Sequence, residues 1–282
     1  MRSEAFHRQI DAQHVPLALR LSELWHYRYL IRILTRKRLI VRYRQTVLGP
    51  AWQVIHPLLT SLAHMLIFGL VAGISTDGVP MILFYLAGNS LWSYVSSVVT
   101  QSANTFRNNA YLFGKVYFPR LCVPLSDALT AAVDFAIRFA MLLAVSVYYA
   151  VCGRMQVPFV RWPLLPGILL WLGMMAMGIG LLIASLTTKY RDLSILAGFG
   201  VQLWMYITPV VYPLSQLSLP AARAFILLNP ATAPVELYRM LLFGAGGVGA
   251  ASIVWSVLFT AAVFSLGVMA FNRAERTFVD TI

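Results

Sequence analysis

The chain has 282 residues, 59 % of them apolar and 11 % charged, with a formal net charge of +12. Soluble domains carry about 45–50 % apolar and about 25 % charged residues, so this composition excludes a cytosolic enzyme, an intrinsically disordered chain and a secreted disulfide scaffold. Ten of the 22 Lys and Arg residues precede residue 45 and the rest punctuate long uncharged runs, which is the pattern of a multi-pass membrane protein rather than of a nucleic-acid binder.

In chain order, the first 40 residues are charged throughout and hold no isolated apolar core, so no cleavable signal peptide is expected. Residues 20–44 place Arg28, Arg32 and Arg36 at four-residue steps. Leu24, Tyr27, Leu30, Ile31 and Leu34 share an arc of about 120° beside them. The pattern predicts an amphipathic helix lying in the membrane interface; a soluble arm that merely supplies charge is the plainer alternative. Residues 1–50 then form a cytoplasmic N-terminal region, and 51–282 a single transmembrane domain with a short cytoplasmic tail.

Six apolar stretches reach the roughly 20 residues that a helix needs to cross hydrocarbon: 51–73, 80–103, 121–151, 164–187, 193–212 and 248–271. The fold class expected is therefore an all-α membrane protein with six transmembrane helices. Gly69 and Gly73 in the first span have the spacing of a close helix contact, a weak signal alone. The third span carries Asp127, Asp134 and Arg138, so only part of it faces lipid. Asp134 and Arg138 lie four apart and can pair, which fits either a polar pathway or an ion pair that fixes packing. Cys122 and Cys152, at opposite ends of that span, would lie about 45 Å apart in a helix, too far for a disulfide. The fourth span is the clearest, uncharged from Leu164 to Lys189.

Between the fifth and sixth spans, Pro213, Pro220, Pro230 and Pro234 cut residues 213–245 into apolar pieces of about 10–14 residues, too short to cross. Two short re-entrant helices dipping from the outer surface fit these pieces; ordinary loop helices in the outer leaflet are the alternative. Lys and Arg number 17 on one side of the spans and four on the other. That asymmetry puts both termini in the cytoplasm.

The chain has no Gly-x-x-x-x-Gly-Lys-Ser/Thr phosphate loop, no cysteine pair with metal-ligand spacing and no His-Glu-x-x-His. No metal or other cofactor is expected in it. His56 and His64 read as packing or hydrogen-bonding groups. Outward-facing acids are limited to Asp77 and Glu236, too few for a lumenal transferase, so an enzyme is disfavoured. Tyr85, Trp92 and Tyr94 in the second span and Trp204, Tyr206 and Tyr212 at the end of the fifth offer flat rings that can stack on sugars. Packing explains each of them equally well.

Several motifs occur together and in order. They are Arg42-Tyr-Arg-Gln-Thr-Val-Leu-Gly-Pro-Ala-Trp52, Asn109-Ala-Tyr-Leu-Phe-Gly-Lys-Val-Tyr-Phe-Pro-Arg120, Pro124-Leu-Ser126 and Val133-Asp-Phe135. Further along come Tyr190-Arg-Asp192, Thr208-Pro-Val-Val-Tyr-Pro213, Leu228-Asn-Pro230 and Glu275-Arg-Thr-Phe-Val-Asp280. On these the chain, from about residue 30 to its end, resembles the permease subunits of ABC type 2 exporters of O-antigen, capsular polysaccharide or teichoic acid.

The resemblance implies a homodimer in a Gram-negative inner membrane that moves a lipid-linked polysaccharide through a channel gated outside by the helices of 213–245. Two copies of a separate ATP-binding subunit, holding ATP and Mg, would drive it. Arg107, Asn108, Asn109, Lys115, Lys189, Arg191 and Asp192 would dock on that partner, although topology alone would also put bases there. Arg28, Arg32 and Arg36 would hold anionic lipid or a lipid-linked pyrophosphate at the entrance. Nucleic acid is not among the implied partners. A permease for a lipid or drug and a membrane-embedded glycan-modifying enzyme are the alternatives.

Overall fold

The structure is a computed structural model that describes residues 21–44, 49–116, 118–190 and 192–279. Among these the chain is helical, with no strand. Two short helices come first, α1 (Leu21–His26) and α2 (Arg28–Tyr43). Next is α3 (Trp52–His64), whose last turns widen into a π-helical segment over Met65–Val71. After it come α4 (Met81–Ala103), α5 (Thr105–Phe113), α6 (Cys122–Val151) and α7 (Leu165–Thr187). The chain closes with α8 (Leu193–Ile207), α9 (Pro220–Leu228), α10 (Thr232–Phe243) and α11 (Ala250–Val279).

Five helical stretches among the described residues are long and apolar enough to cross a bilayer: Trp52–Val71, Met81–Ala103, Cys122–Val151, Phe159–Thr187 and Ala250–Glu275. The fifth expected span differs from its reading over 193–212. The α8 helix has 15 residues, about 22 Å at 1.5 Å per residue, against a hydrocarbon core of about 30 Å. The cause is Pro209, whose ring forces the residue before it out of the helical region. Thr208 is accordingly extended at φ −96° and ψ 141°.

The α4 helix is the centre of the bundle. Its buried side chains run from Leu83 to Ala103, and α3, α6, α7 and α8 pack around it. Glycine permits the closest crossing, between α7 and α11. A Cβ on Gly178 would sit 2.7 Å from the Phe264 Cα, so only hydrogen lets the backbones meet. In α3, Gly69 lies against Met81 and Tyr85, while Gly73 takes φ +65° as the chain leaves the helix. A second apolar cluster gathers at one end of the bundle from α2, α5, the start of α6 and the ends of α7 and α11, with Ile31, Phe106, Cys122, Leu181 and Phe271 buried together. Both cysteines are free, Cys122 buried and Cys152 exposed at the far end of α6.

The short helices after α8 are unequal. Ten of the twelve residues of α10 are buried, against Ile226 alone in α9. Phe225 and Leu228 of α9 are 62 % and 65 % exposed. Gly244 ends α10 in the left-handed conformation at φ 73°, where glycine carries no Cβ penalty.

Candidate functional site

At the end of the bundle marked by the second cluster, α5 presents two faces. Thr105, Phe106 and Phe113 turn inward, while Arg107, Asn108 and Tyr111 are exposed. The helix kinks at Asn109 (φ −124°, ψ 15°), and the Asn109 amide is turned back to donate to the Thr105 carbonyl at 2.9 Å. Lys115 is exposed, its ammonium 4.0 Å from the Tyr111 ring centre and donating to the Tyr111 hydroxyl.

The α7–α8 turn lies beside α5. The Arg107 guanidinium donates to the Ser194 hydroxyl at 3.1 Å, and Thr187 donates to the Ala103 carbonyl at 3.3 Å. Lys189 and Asp192 are exposed on this turn, with the Lys189 ammonium 5.4 Å from the Tyr190 ring centre. Arg191 lies outside the described residues. The structure thus puts Arg107 against the α7–α8 turn that carries Lys189 and Asp192, leaves Asn108 and Lys115 exposed, and bonds the Asn109 amide back to its own helix.

That surface is tied to the last helix. Phe106 stacks on Phe271 with ring centres 4.7 Å apart. Arg120, only 7 % exposed, donates to the Glu275 carbonyl at 3.0 Å and lies over the Phe113 ring. Its Nε is 3.7 Å from the Glu275 carboxylate. Arg120 and Glu275 both stand inside motifs quoted above, but no local spacing joins residues this far apart in the chain.

Along the bundle, α1 and α2 together pack the arc of Leu24, Tyr27, Leu30, Ile31 and Leu34 against protein, with Ile31 buried in the second cluster. Arg28, Arg32 and Arg36 are exposed, next to Trp25 and Tyr29 at 69 % and 71 % exposure. Two arginines to which the sequence assigned no role of their own, Arg38 and the motif residue Arg42, do the anchoring. Arg38 pairs with Asp127 and Arg42 with Asp134, both acids on α6. Burial pushes the Arg38 guanidinium down to about 10, so it stays charged at neutral pH.

Asp134 also accepts from the Gln53 amide at 3.0 Å, and Arg138 donates to the Gln53 carbonyl oxygen at 3.2 Å. The two residues expected to pair along α6 thus meet at one glutamine of α3. His64 reaches the Asn89 amide oxygen at 2.9 Å, as a hydrogen-bonding group.

The aromatic residues fall into two groups. Tyr85, Trp92 and Tyr94 are core residues, none more than 5 % exposed. Trp204 is half-buried, edge-on to Trp92 at 5.4 Å, and its indole donates to Asn229 at 2.9 Å. Asn229 in turn donates to the Thr208 hydroxyl at 2.9 Å and to the Ile207 carbonyl, stapling the end of α8 to the corner between α9 and α10. Tyr206 is exposed, and the Tyr212 hydroxyl donates to the Tyr206 carbonyl at 3.1 Å.

Glu236, assigned by charge counting to the outer side, is buried, 1 % exposed. It pairs with Arg239 at 2.6 Å, and Arg239 also donates to the Pro209 carbonyl at 2.6 Å while lying over the Phe84 ring. Their spacing of three put the pair within reach of sequence reasoning; charge counting by side hid it. No group of three or more metal-ligating side chains occurs among the described residues.

The chain is 28 % identical over 227 residues to the O-antigen export system permease protein RfbA of Myxococcus xanthus, covering 78 % of this chain and 83 % of that protein. Two proteins of the same name from Klebsiella pneumoniae are each 26 % identical over 256 residues, 90 % of this chain and 95 % of theirs. The family model for the ABC-2 type transporter matches residues 29–243. This stretch runs from α2 through α10, and the chain therefore belongs to the ABC-2 type transporter family, as a multi-pass membrane transport subunit.

Proposed function

We propose that this chain is the permease of an ATP-driven exporter that moves a lipid-linked polysaccharide, such as O-antigen or capsule, across a bacterial inner membrane. The similarity to O-antigen export permeases over 78–90 % of the chain carries this reading. Two copies of the chain form the passage, and two copies of a separate ATP-binding subunit, with ATP and Mg, supply the drive. The exposed surface of Arg107, Asn108, Lys115, Lys189 and Asp192 is the docking site for that subunit, with Arg191 beside it. Its ties to α11 through Phe106 and Arg120 favour a rigid-body response to partner motion.

Both termini are cytoplasmic. The positive-inside count supports this, as does the gathering of α2, α5, the α7–α8 turn and the end of α11 at one end of the bundle. The sixth crossing is α8, a reading supported by the uncharged run from Leu193 to Tyr212 and by the even number of crossings that termini on one side require. The helices α9 and α10 are re-entrant, and the burial of α10 supports this.

The α2 helix lies in the interface, one side on α6 and the other carrying Tyr29, Arg28, Arg32 and Arg36 toward headgroups, with Trp25 of α1 beside them. Those arginines hold the anionic end of the substrate at the entrance. Of the aromatic residues, the exposed Tyr206 and the half-buried Tyr212 are the ones within reach of a sugar chain. Deletion of the gene tests the reading: lipid-linked polymer accumulates inside the cell if it holds, whereas normal surface display of the glycan rejects it.

A further inference from the structure

Between α7, α8 and α11 runs an open groove of about 510 Å³. Leu186 and Leu193 line one end, Gly200 the middle, and Trp204, Pro230 and Phe259 the other. Every lining residue is apolar, and α7 and α11 are two of the helices long enough to cross the bilayer. From Leu193 to Trp204 the groove follows α8 for about 16 Å, a length that takes most of a fatty-acyl chain.

The two ends differ in charge. At the Leu186–Leu193 end the α7–α8 turn exposes Lys189, and Arg107 reaches Ser194 at 3.1 Å, next to Leu193. Among the described residues, two exposed cations, Lys189 and Arg107, stand there with one exposed carboxylate, Asp192. The far end is closed by the Trp204 indole, which is held by its bond to Asn229. A slot that is apolar along its length and cationic at its mouth complements an amphiphile with an anionic head and a hydrocarbon tail.

We propose that, in the chain free of its ATP-binding partner, this groove binds one acyl chain of an anionic phospholipid, with the phosphate beside Lys189 and Arg107, a surface that the docked partner covers, and the chain end below Trp204. Gly200 supplies a clean way to close it. A Cβ built there meets nothing within 4 Å, so Gly200→Phe fills the groove without displacing protein.

The test uses the full chain in vesicles that contain bromine-labelled phosphatidylglycerol or, separately, phosphatidylcholine labelled at the same carbons. The readout is the quenching of Trp204, obtained as the part of the fluorescence that Trp204→Phe removes. Attraction of the mouth for negative charge predicts about two-fold or greater excess quenching by the anionic lipid. Bromine far along the chain should quench more than bromine near the head, and Gly200→Phe should abolish the excess while the helical circular dichroism is kept.

Equal quenching by the two lipids, or an excess that survives Gly200→Phe, overturns the proposal. So does closure by a second copy of the chain. That would appear as an intermolecular disulfide from Leu196→Cys, in a chain whose Cys122 and Cys152 are serine, with Trp204 unquenched. None of these measurements reads export, so this site stands or falls separately from the function proposed above.

Discussion

Glu236 and Arg239 stand one helical turn apart on α10 and are both almost wholly withdrawn from solvent. Arg239 does three things from one position: it neutralises Glu236, caps the Pro209 carbonyl and covers the Phe84 ring. The Pro209 carbonyl needs that donor, because the break at Thr208 takes the chain out of the helical hydrogen-bond pattern there. Removing one member of a buried pair strands the other charge and typically costs about 3–5 kcal/mol. Arg239→Ala should therefore lower stability by about that much, read as thermal unfolding of the purified chain in detergent. The double variant Glu236→Gln/Arg239→Met, which leaves no naked charge, should lose clearly less; equal losses would show that the pairing itself contributes little. The spacing of this pair was plain in the sequence. Its burial was not, because counting charges by side says nothing about depth.

Helix length is the most legible property of the single elements. Stretches read as 80–103, 121–151 and 164–187 correspond to Met81–Ala103, Cys122–Val151 and Leu165–Thr187, since an uninterrupted apolar run has no other way to satisfy its backbone in lipid. The stop of α8 at Ile207 was equally readable from Pro209 but lay inside a run whose side chains stay apolar. What α2 rests on was illegible. Arg38 and Arg42 meet Asp127 and Asp134 some ninety residues away, and no periodicity in either helix names the other.

That anchoring makes α2 separable from α6 by charge alone. Asp127→Asn with Asp134→Asn should raise the labelling of a cysteine placed at Ile31, buried in the parent chain, by a membrane-impermeant maleimide. The measurement needs Cys122 and Cys152 replaced by serine. A several-fold faster reaction is expected, and an unchanged rate would mean that the apolar arc holds α2 unaided.

For the whole molecule, the docking surface proposed above has a defined route of contacts into the bundle. A push on α5 reaches α8 through Arg107 and Ser194, and α11 through Phe106 on Phe271 and Arg120 on Glu275. Arg120→Lys keeps the charge but loses the planar fork that touches both the carbonyl and the carboxylate of Glu275. In the proposed assembly it should leave ATP turnover near its parent value and reduce glycan export several-fold, so that the ratio of the two rises. A parallel fall in both would place Arg120 in assembly rather than in transmission. Arg120 and Glu275 were both visible in the ordered motifs, whereas their contact appears only in the fold.

The central position of α4 bears on how the chain is made. It is the most enclosed and the least apolar of the five long helices, and it carries Asn89, Ser90 and Ser102 on buried faces. Lipid is a poor host for such a segment; α6 and α7, which shield it in the finished bundle, leave the ribosome after it. During biogenesis α4 is therefore a lodger without walls, dependent on insertion machinery or α3 for shelter until its later neighbours arrive.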